Sequence, residues 1–293
     1  MRQLNLIDRI AAARGLDGVA GLVRDATHKL LRPGAIKDML HGVWLGHPLH
    51  PALAQLPVGC FVGAAILDAT GDRGPGAPRL IGCGMVASLP AALAGFADYA
   101  DAHEEQQRVG VLHAATNSAA LLCYLGSLTL RSKGFRTVGV ALGFIGCGFV
   151  TVSATLGGDM AFRRAVGPNH AAEVPHTGPA EWTDLGATDD FSEAEPLRRD
   201  AGLIPVLVLR SGNRFVVLHD RCSHMAAPLH EGELVERDGE KCLECPWHGS
   251  VFRMADGAVI NGPATAPQPV LDTRVRAGRL EAKVREIPGV PAS

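Results

Sequence analysis

Charge is scarce in this 293-residue chain. Asp, Glu, Lys and Arg make up 20% of it against 47% hydrophobic residues, and the mean hydropathy is positive. That balance excludes an ordinary water-soluble protein and asks for a membrane portion. An excess of one sign is also lacking: the formal net charge is −2, so nothing points to a nucleic-acid partner. No secretory signal is expected, because the first apolar run starts too far into the chain and has no cleavage pattern. Nor do the seven cysteines read as a disulfide framework. Cys60, Cys83, Cys123 and Cys147 fall one to each apolar segment, where a thiol is a small core hydrophobe.

What charge there is lies unevenly. Residues 1–40 carry seven Lys/Arg against four acids, and residues 180–293 carry thirteen against eighteen. An acidic C-terminal part can meet a basic redox partner, although most such surfaces are only solvated. Four stretches, 51–67, 80–97, 109–130 and 137–158, hold no Asp, Glu, Lys or Arg. A helix needs about 20 apolar residues to cross a bilayer, with a lower limit of about 17. A soluble four-helix bundle would show polar stripes at helical spacing. Small residues recur instead, at Gly82, Gly84, 91–94, Gly139, Gly143, Gly146 and Gly148, as close packing in lipid favours.

These patterns divide the chain into amphipathic N-terminal helices (1–40), a four-helix transmembrane domain (41–160), a linker (161–180) and a C-terminal domain (181–293). In the first part, 4–13 and 19–31 alternate Leu, Ile and Val with charged residues at helical spacing. They suit either the membrane surface or a cap on the bundle. Residues 167–180, rich in Pro, Gly, Ala and His, mark the linker. Beyond it, strand-like runs at 205–210, 215–219, 242–245, 250–252, 271–276 and 279–284 alternate with turn signals and predict an all-β domain of antiparallel sheets.

Two motifs in that domain carry chemistry: Cys222-Ser-His224 and Cys245-Pro-Trp-His248. Each offers one thiolate and one imidazole. A [2Fe–2S] centre with cysteines on one iron and histidines on the other uses that set, and so does a structural zinc. Zinc fingers draw a Cys pair from one turn and a His pair from another. Here each motif mixes the two, which favours the two-iron cluster. Cys242 forms a decoy pair with Cys245 but has no histidine three residues on, so it reads as a strand residue.

The run Cys245-Pro-Trp-His-Gly-Ser250-Val-Phe252, followed by Gly262-Pro263-Ala264, closely resembles the Rieske family over about residues 180–287. The resemblance implies a proline loop over the cluster and a cluster environment of Trp247, Ser250, Phe252 and Pro263. It also implies that the edges of His224 and His248 face the redox partner. The twenty residues between His224 and Cys245 are more than in soluble Rieske ferredoxins, and 231–241 is expected to take up the excess as a hairpin tip. The respiratory branch of the family has a disulfide between its ligand loops. Ala227 and Trp247 stand in those places here, so this cluster resembles the ferredoxin branch and tolerates a reducing compartment.

Trp44-Leu-Gly-His47-Pro-Leu-His50-Pro51 opens the first apolar stretch, with His50 expected to cap the helix, and His113 lies early in the third. Ionisable residues in a span are costly, which makes them functional candidates. His47 or His50, with His113, are candidate ligands for a haem b. The alternatives are end-capping, pairing with Asp98 or Asp159, another metal, or a quinone pocket. Asp68 and Asp72 are expected to be loop-side polar residues without a role. The His-Pro-Leu-His-Pro element with four spans resembles an uncharacterised bacterial membrane-domain family that also occurs joined to Rieske or cytochrome modules.

The expectation is a multi-pass cell-membrane protein that exchanges single electrons with a redox partner protein, a reductase or acceptor, or with a quinone, and with a haem b in the bundle if one is bound. An even number of spans places both ends on one side. Six Lys/Arg near the spans on that side against five opposite favour a cytoplasmic Rieske domain. The alternatives are a component of an oxygenase system and a redox sensor. A hydroxylating enzyme needs a further iron site and a catalytic domain after the Rieske domain.

Overall fold

The computed structural model describes residues 2–285 and forms two compact units. Met1–Arg32 joins Pro48–Val166, and Pro33–His47 joins Gly167–Ser293. The helices are α1 (Arg2–Ala11), α2 (Asp17–Leu30), α3 (Ala35–His41), α4 (Leu49–Ala69), α5 (Gly76–Ala100), α6 (Glu104–Ser132), α7 (Arg136–Gly158) and α8 (Val174–Thr177).

In the first unit α4 to α7 are 21 to 29 residues long, so even the shortest extends about 31 Å at 1.5 Å per residue. All four are long and apolar enough to cross a bilayer, and no more than 28% of any apolar window is buried within the protein. Leu56, Leu89, Leu122 and Val152 point outward, a pattern that suits a lipid solvent. Inside, Phe61 stacks on Tyr124 at 4.1 Å between centroids. The small residues foreseen from sequence make this approach possible: a Cβ at Gly84 would lie 2.6 Å from the Phe61 ring.

One end of the bundle is capped. Ile7 and Ala11 of α1 pack with Val109 and Leu156. Arg108 reaches Asp17 at 2.6 Å and the Ala11 carbonyl at 2.8 Å, and Tyr99 Oη donates to the Ala20 carbonyl. Of the two placements open from sequence, α1 and α2 take the cap. At the other end Asp68 is no idle loop residue: it ends α4 and accepts both Arg131 Nη1, at 2.9 Å, and Nη2. Both side chains are buried, and a buried charge needs such a partner. His50 does not cap α4 as expected. The helix starts at Leu49 with Pro48 as N-cap, which leaves His50 inside the first turn.

Among the described residues the second unit holds ten strands: β1 (Thr183–Ala187), β2 (Leu197–Ala201), β3 (Ile204–Ser211), β4 (Arg214–His219), β5 (Glu233–Arg237), β6 (Glu240–Glu244), β7 (Val251–Arg253), β8 (Val259–Asn261), β9 (Val270–Arg276) and β10 (Arg279–Val284). They form antiparallel sheets of six strands (β1-β10-β9-β4-β3-β2) and four strands (β5-β6-β7-β8). Sequence patterning missed β1, β2, β5 and β8. Gly186 interrupts β1, and β2 and β5 are too charged to alternate cleanly. The stretch 231–241, expected as a hairpin tip, is instead mostly the β5–β6 hairpin itself, whose tip is only Asp238-Gly239, both with positive φ as a two-residue type I′ turn requires.

Residues 167–180 are not a bare tether. Ala171 and Val174 are buried in the core of the six-stranded sheet, and the His170 N–H donates to the Ser223 carbonyl. Residues 33–47, with α3, likewise belong to this unit, although the expected boundary assigned 41–47 to the membrane domain.

Candidate metal centre

Both ligand motifs sit in loops that leave strands, and the loops share one hydrogen-bond pattern. After β4, the Cys222 N–H donates to the Ala227 carbonyl at 2.9 Å and the Ala226 N–H to the Cys222 carbonyl at 2.8 Å. After β6, the Cys245 N–H donates to the Ser250 carbonyl at 2.8 Å and the Gly249 N–H to the Cys245 carbonyl at 3.1 Å. Each loop therefore turns back on its own cysteine. The fifth residue is left-handed in both, Ala226 with φ 59° and Gly249 with φ 73°.

This turn places the cysteines inside and the histidines nearer the surface. Cys222 and Cys245 are buried in one apolar cluster with Leu243 and Phe252, while His224 and His248 are half-buried. The two thiols are hydrogen-bonded to each other. The His224 and Met225 N–H groups point at Cys222, and those of Trp247 and His248 at Cys245. The mutual hydrogen bond of the thiols, with burial, pushes Cys222 up, and the same bond, with the peptide N–H groups, brings Cys245 down to about 7. Thiolate is the form that ligates metal. The His224 and His248 rings stand 5.1 Å apart at 86°. The donors are a thiol pair and an imidazole pair, the set that two irons with two protein ligands each would take.

The surroundings are those the sequence singled out. Ser250 and Phe252 are fully buried, Pro263 is buried, and Trp247 lies exposed beside His248. The Ala264 N–H donates to Ser250 Oγ at 2.9 Å, which ties the proline loop to the second motif. Cys242 lies in β6 opposite Val235 and Arg253. Sequence reasoning missed Gln268. Its buried amide donates to the His219 and Arg221 carbonyls at 2.6 and 2.7 Å and accepts the Ser223 N–H at 3.0 Å, so it fixes the chain on both sides of Cys222. Asp220 was missed as well. It accepts the His230 N–H and Nδ1–H, both at 2.8 Å. Neither residue lies in a motif, and only the fold brings them to the loop.

In the first unit the His50 and His113 rings lie 6.3 Å apart at 88°. His50 Nδ1 is 2.8 Å from the Ala91 carbonyl on α5, and His113 Nδ1 is 2.9 Å from the Ser153 carbonyl on α7. Asn117 Nδ2 lies 3.2 Å from His113 Nε2. His47 precedes α4 and belongs to the other unit. Asp159 pairs with Arg163 and Arg164 rather than with either histidine.

Comparison with known proteins accords with both halves. Residues 181–277 match the Rieske [2Fe–2S] domain, and residues 46–170 match the predicted membrane protein family DUF2231. The anthranilate 1,2-dioxygenase ferredoxin subunit of Burkholderia cepacia is 42% identical over 105 residues, which are 36% of this chain and 94% of that one. Ferredoxin CarAc of Metapseudomonas resinovorans is 33% identical over 100 residues, 34% of this chain and 90% of that one. Among solved structures, the ferredoxin of carbazole 1,9a-dioxygenase from Nocardioides aromaticivorans IC177 is 24% identical and covers 36% of this chain and 98% of its own, with a TM-score of 0.33. With its paired thiols and imidazoles and its membrane-type helices, the chain belongs to the Rieske [2Fe–2S] family and joins that domain to a DUF2231 domain in one polypeptide.

Proposed function

We propose that this protein is a membrane-anchored Rieske electron carrier whose cluster is held by Cys222 and Cys245 on one iron and His224 and His248 on the other. The observation that carries the reading is the pair of matched loops, each presenting a buried thiol and a half-buried imidazole. When bound, the cluster supplies a one-electron centre with a potential above that of an all-thiolate cluster. The protein's own part is positional. Four peptide N–H groups turned toward the cysteines favour thiolate, and the buried side keeps water from the sulfurs. The half-buried histidines make the electron's exit edge.

The partner is a redox protein. Two relatives are a dioxygenase ferredoxin subunit and a ferredoxin, which supports a role as the ferredoxin of an oxygenase system, fed by a reductase. A quinone is the membrane-side alternative. The four apolar helices serve as the anchor. The six-to-five Lys/Arg count and the absence of cysteine at 227 and 247 support a cytoplasmic Rieske domain. Iron and sulfide analysis with EPR of detergent-purified protein tests the reading. It expects equal iron and sulfide and a mixed-ligand signal, and zinc without iron overturns it.

A second reading is favoured by the His50–His113 pair. With Nδ1–H donated to a carbonyl, each ring keeps Nε2 as the nitrogen with a free lone pair for a ligand, as metal-bound histidines do. A haem b would take these two nitrogens once Asn117 releases His113 Nε2, and it would supply a second one-electron centre. His50→Ala or His113→Ala is then expected to remove a reducible haem b band and leave the cluster spectrum unchanged. Haem-supplied wild-type protein without that band returns both rings to helix packing.

A further inference from the structure

The stretch 261–264 lies against the second cysteine loop through the Ala264 N–H to Ser250 Oγ bond. Its other side is held by residues more than 200 positions away in sequence. Asp38, on α3, accepts the Gly262 N–H on Oδ1 at 2.8 Å and the Asn261 side-chain amide on Oδ2 at 3.0 Å. Hydrogen bonds to a carboxylate are about twice as strong as neutral ones. The packing is close as well: a Cβ at Gly262 would lie 3.0 Å from Val43 Cγ2 and 3.5 Å from His41 Cδ2. Leu40 and His41 are buried, and Gly42, with φ 87°, ends α3 so that the chain can turn to Val43. The Burkholderia cepacia ferredoxin has 94% of its length matched by 105 residues, which leaves no room for a counterpart of α3 so far upstream of residue 181. This contact is a property of the longer chain.

We propose that Asp38 is a positioning residue for the cluster. Resting on the cluster reading above, it clamps Asn261 and Gly262 and so holds Pro263 and Ala264 over the site. Ala264 in turn keeps the Ser250 hydroxyl in place beside Cys245. Hydrogen bonds and water exclusion around the sulfurs set a Rieske potential, so a segment near the N-terminus contributes to the potential of a C-terminal cluster.

Full-length protein in detergent is compared as wild type, Asp38→Ala and Asp38→Asn by amide hydrogen exchange over 258–266 and by EPR-monitored redox titration. Asn keeps an acceptor for the Gly262 N–H but loses the charge, whereas Ala loses both. In Asp38→Ala the Gly262 and Ala264 amides are expected to exchange at least about tenfold faster, as the loss of one hydrogen bond to a charged group implies. In Asp38→Asn, whose neutral oxygen still accepts the Gly262 N–H but more weakly, they exchange more slowly than in Asp38→Ala. Both variants remove a negative charge from near the cluster, so the clamp shows as a potential in Asp38→Ala that falls below that of Asp38→Asn. Equal exchange and equal potentials in the two variants overturn the clamp. Wild-type protein without a cluster signal overturns the functional reading instead, and the exchange comparison still decides the clamp.

Discussion

Ala226 and Gly249 occupy the same place in two different loops, each four residues after a cysteine and each with its backbone in the left-handed region. Each donates its N–H to the carbonyl of that cysteine. A left-handed alanine costs roughly 1–2 kcal/mol, a strain that glycine does not bear. Gly249→Ala is therefore expected to lower stability by about 1 kcal/mol. Ala226→Gly relieves a similar strain but gains about 0.4–1 kcal/mol of unfolded-state entropy, so its net effect lies between zero and a slight stabilisation. Thermal loss of the cluster's visible absorbance in full-length protein checks both.

Gln268 satisfies three backbone groups around Cys222 from a fully enclosed position. Gln268→Leu leaves two carbonyls and one N–H buried without their partner, at roughly 1–3 kcal/mol each. The expected loss is on the order of 3 kcal/mol or more, with poor retention of iron. Denaturant unfolding and iron content measure it, and near-wild-type values for both would remove Gln268 from the site.

The motifs were legible because ligands a few residues apart announce themselves in one dimension: Cys222 with His224, and Cys245 with His248. The four apolar helices were legible because the absence of charge needs no knowledge of partners. Gln268 and Asp38 were not legible. Their significance lies in backbone groups reached only after the chain folds, in the case of Asp38 across more than 200 residues. His50 was misread as a cap because Pro51 signals a helix start, yet the first turn tolerates proline and the helix begins earlier, at Leu49. The segment 167–180 has a linker's composition, and only the open edge of the sheet core shows where Ala171 and Val174 go.

Phe252 is fully buried in the apolar cluster that holds both cysteines, and its ring has no hydroxyl to offer the sulfurs. The wild-type potential is expected below the top of the roughly −150 to +300 mV Rieske range. Phe252→Tyr should raise it and Ser250→Ala should lower it. Each shift is on the order of 40–60 mV, the equivalent of one hydrogen bond of about 1–1.4 kcal/mol at 59 mV per tenfold. A redox titration in which neither variant moves contradicts this.

His219, three residues before Cys222, is held below the usual imidazole range by burial. Below the unfolded value of about 6.5 the unfolded chain takes up a proton that the folded chain refuses, so stability falls as the pH drops from there toward the folded value. His219→Gln should flatten that part of the stability–pH curve. Urea unfolding at pH values from 7.5 down to 5 measures the slope, and an unchanged slope excludes His219 as its source.

The central claim is that one thiol and one imidazole from each matched loop hold a two-iron cluster. The direct measurement is EPR of dithionite-reduced, full-length protein with metal analysis, beside His248→Ala. A mixed-ligand [2Fe–2S] signal in the wild type that is lost in His248→Ala, with iron and sulfide in equal amounts, is the result predicted. Stoichiometric zinc in place of iron, or a cluster signal that survives His248→Ala unchanged, contradicts it.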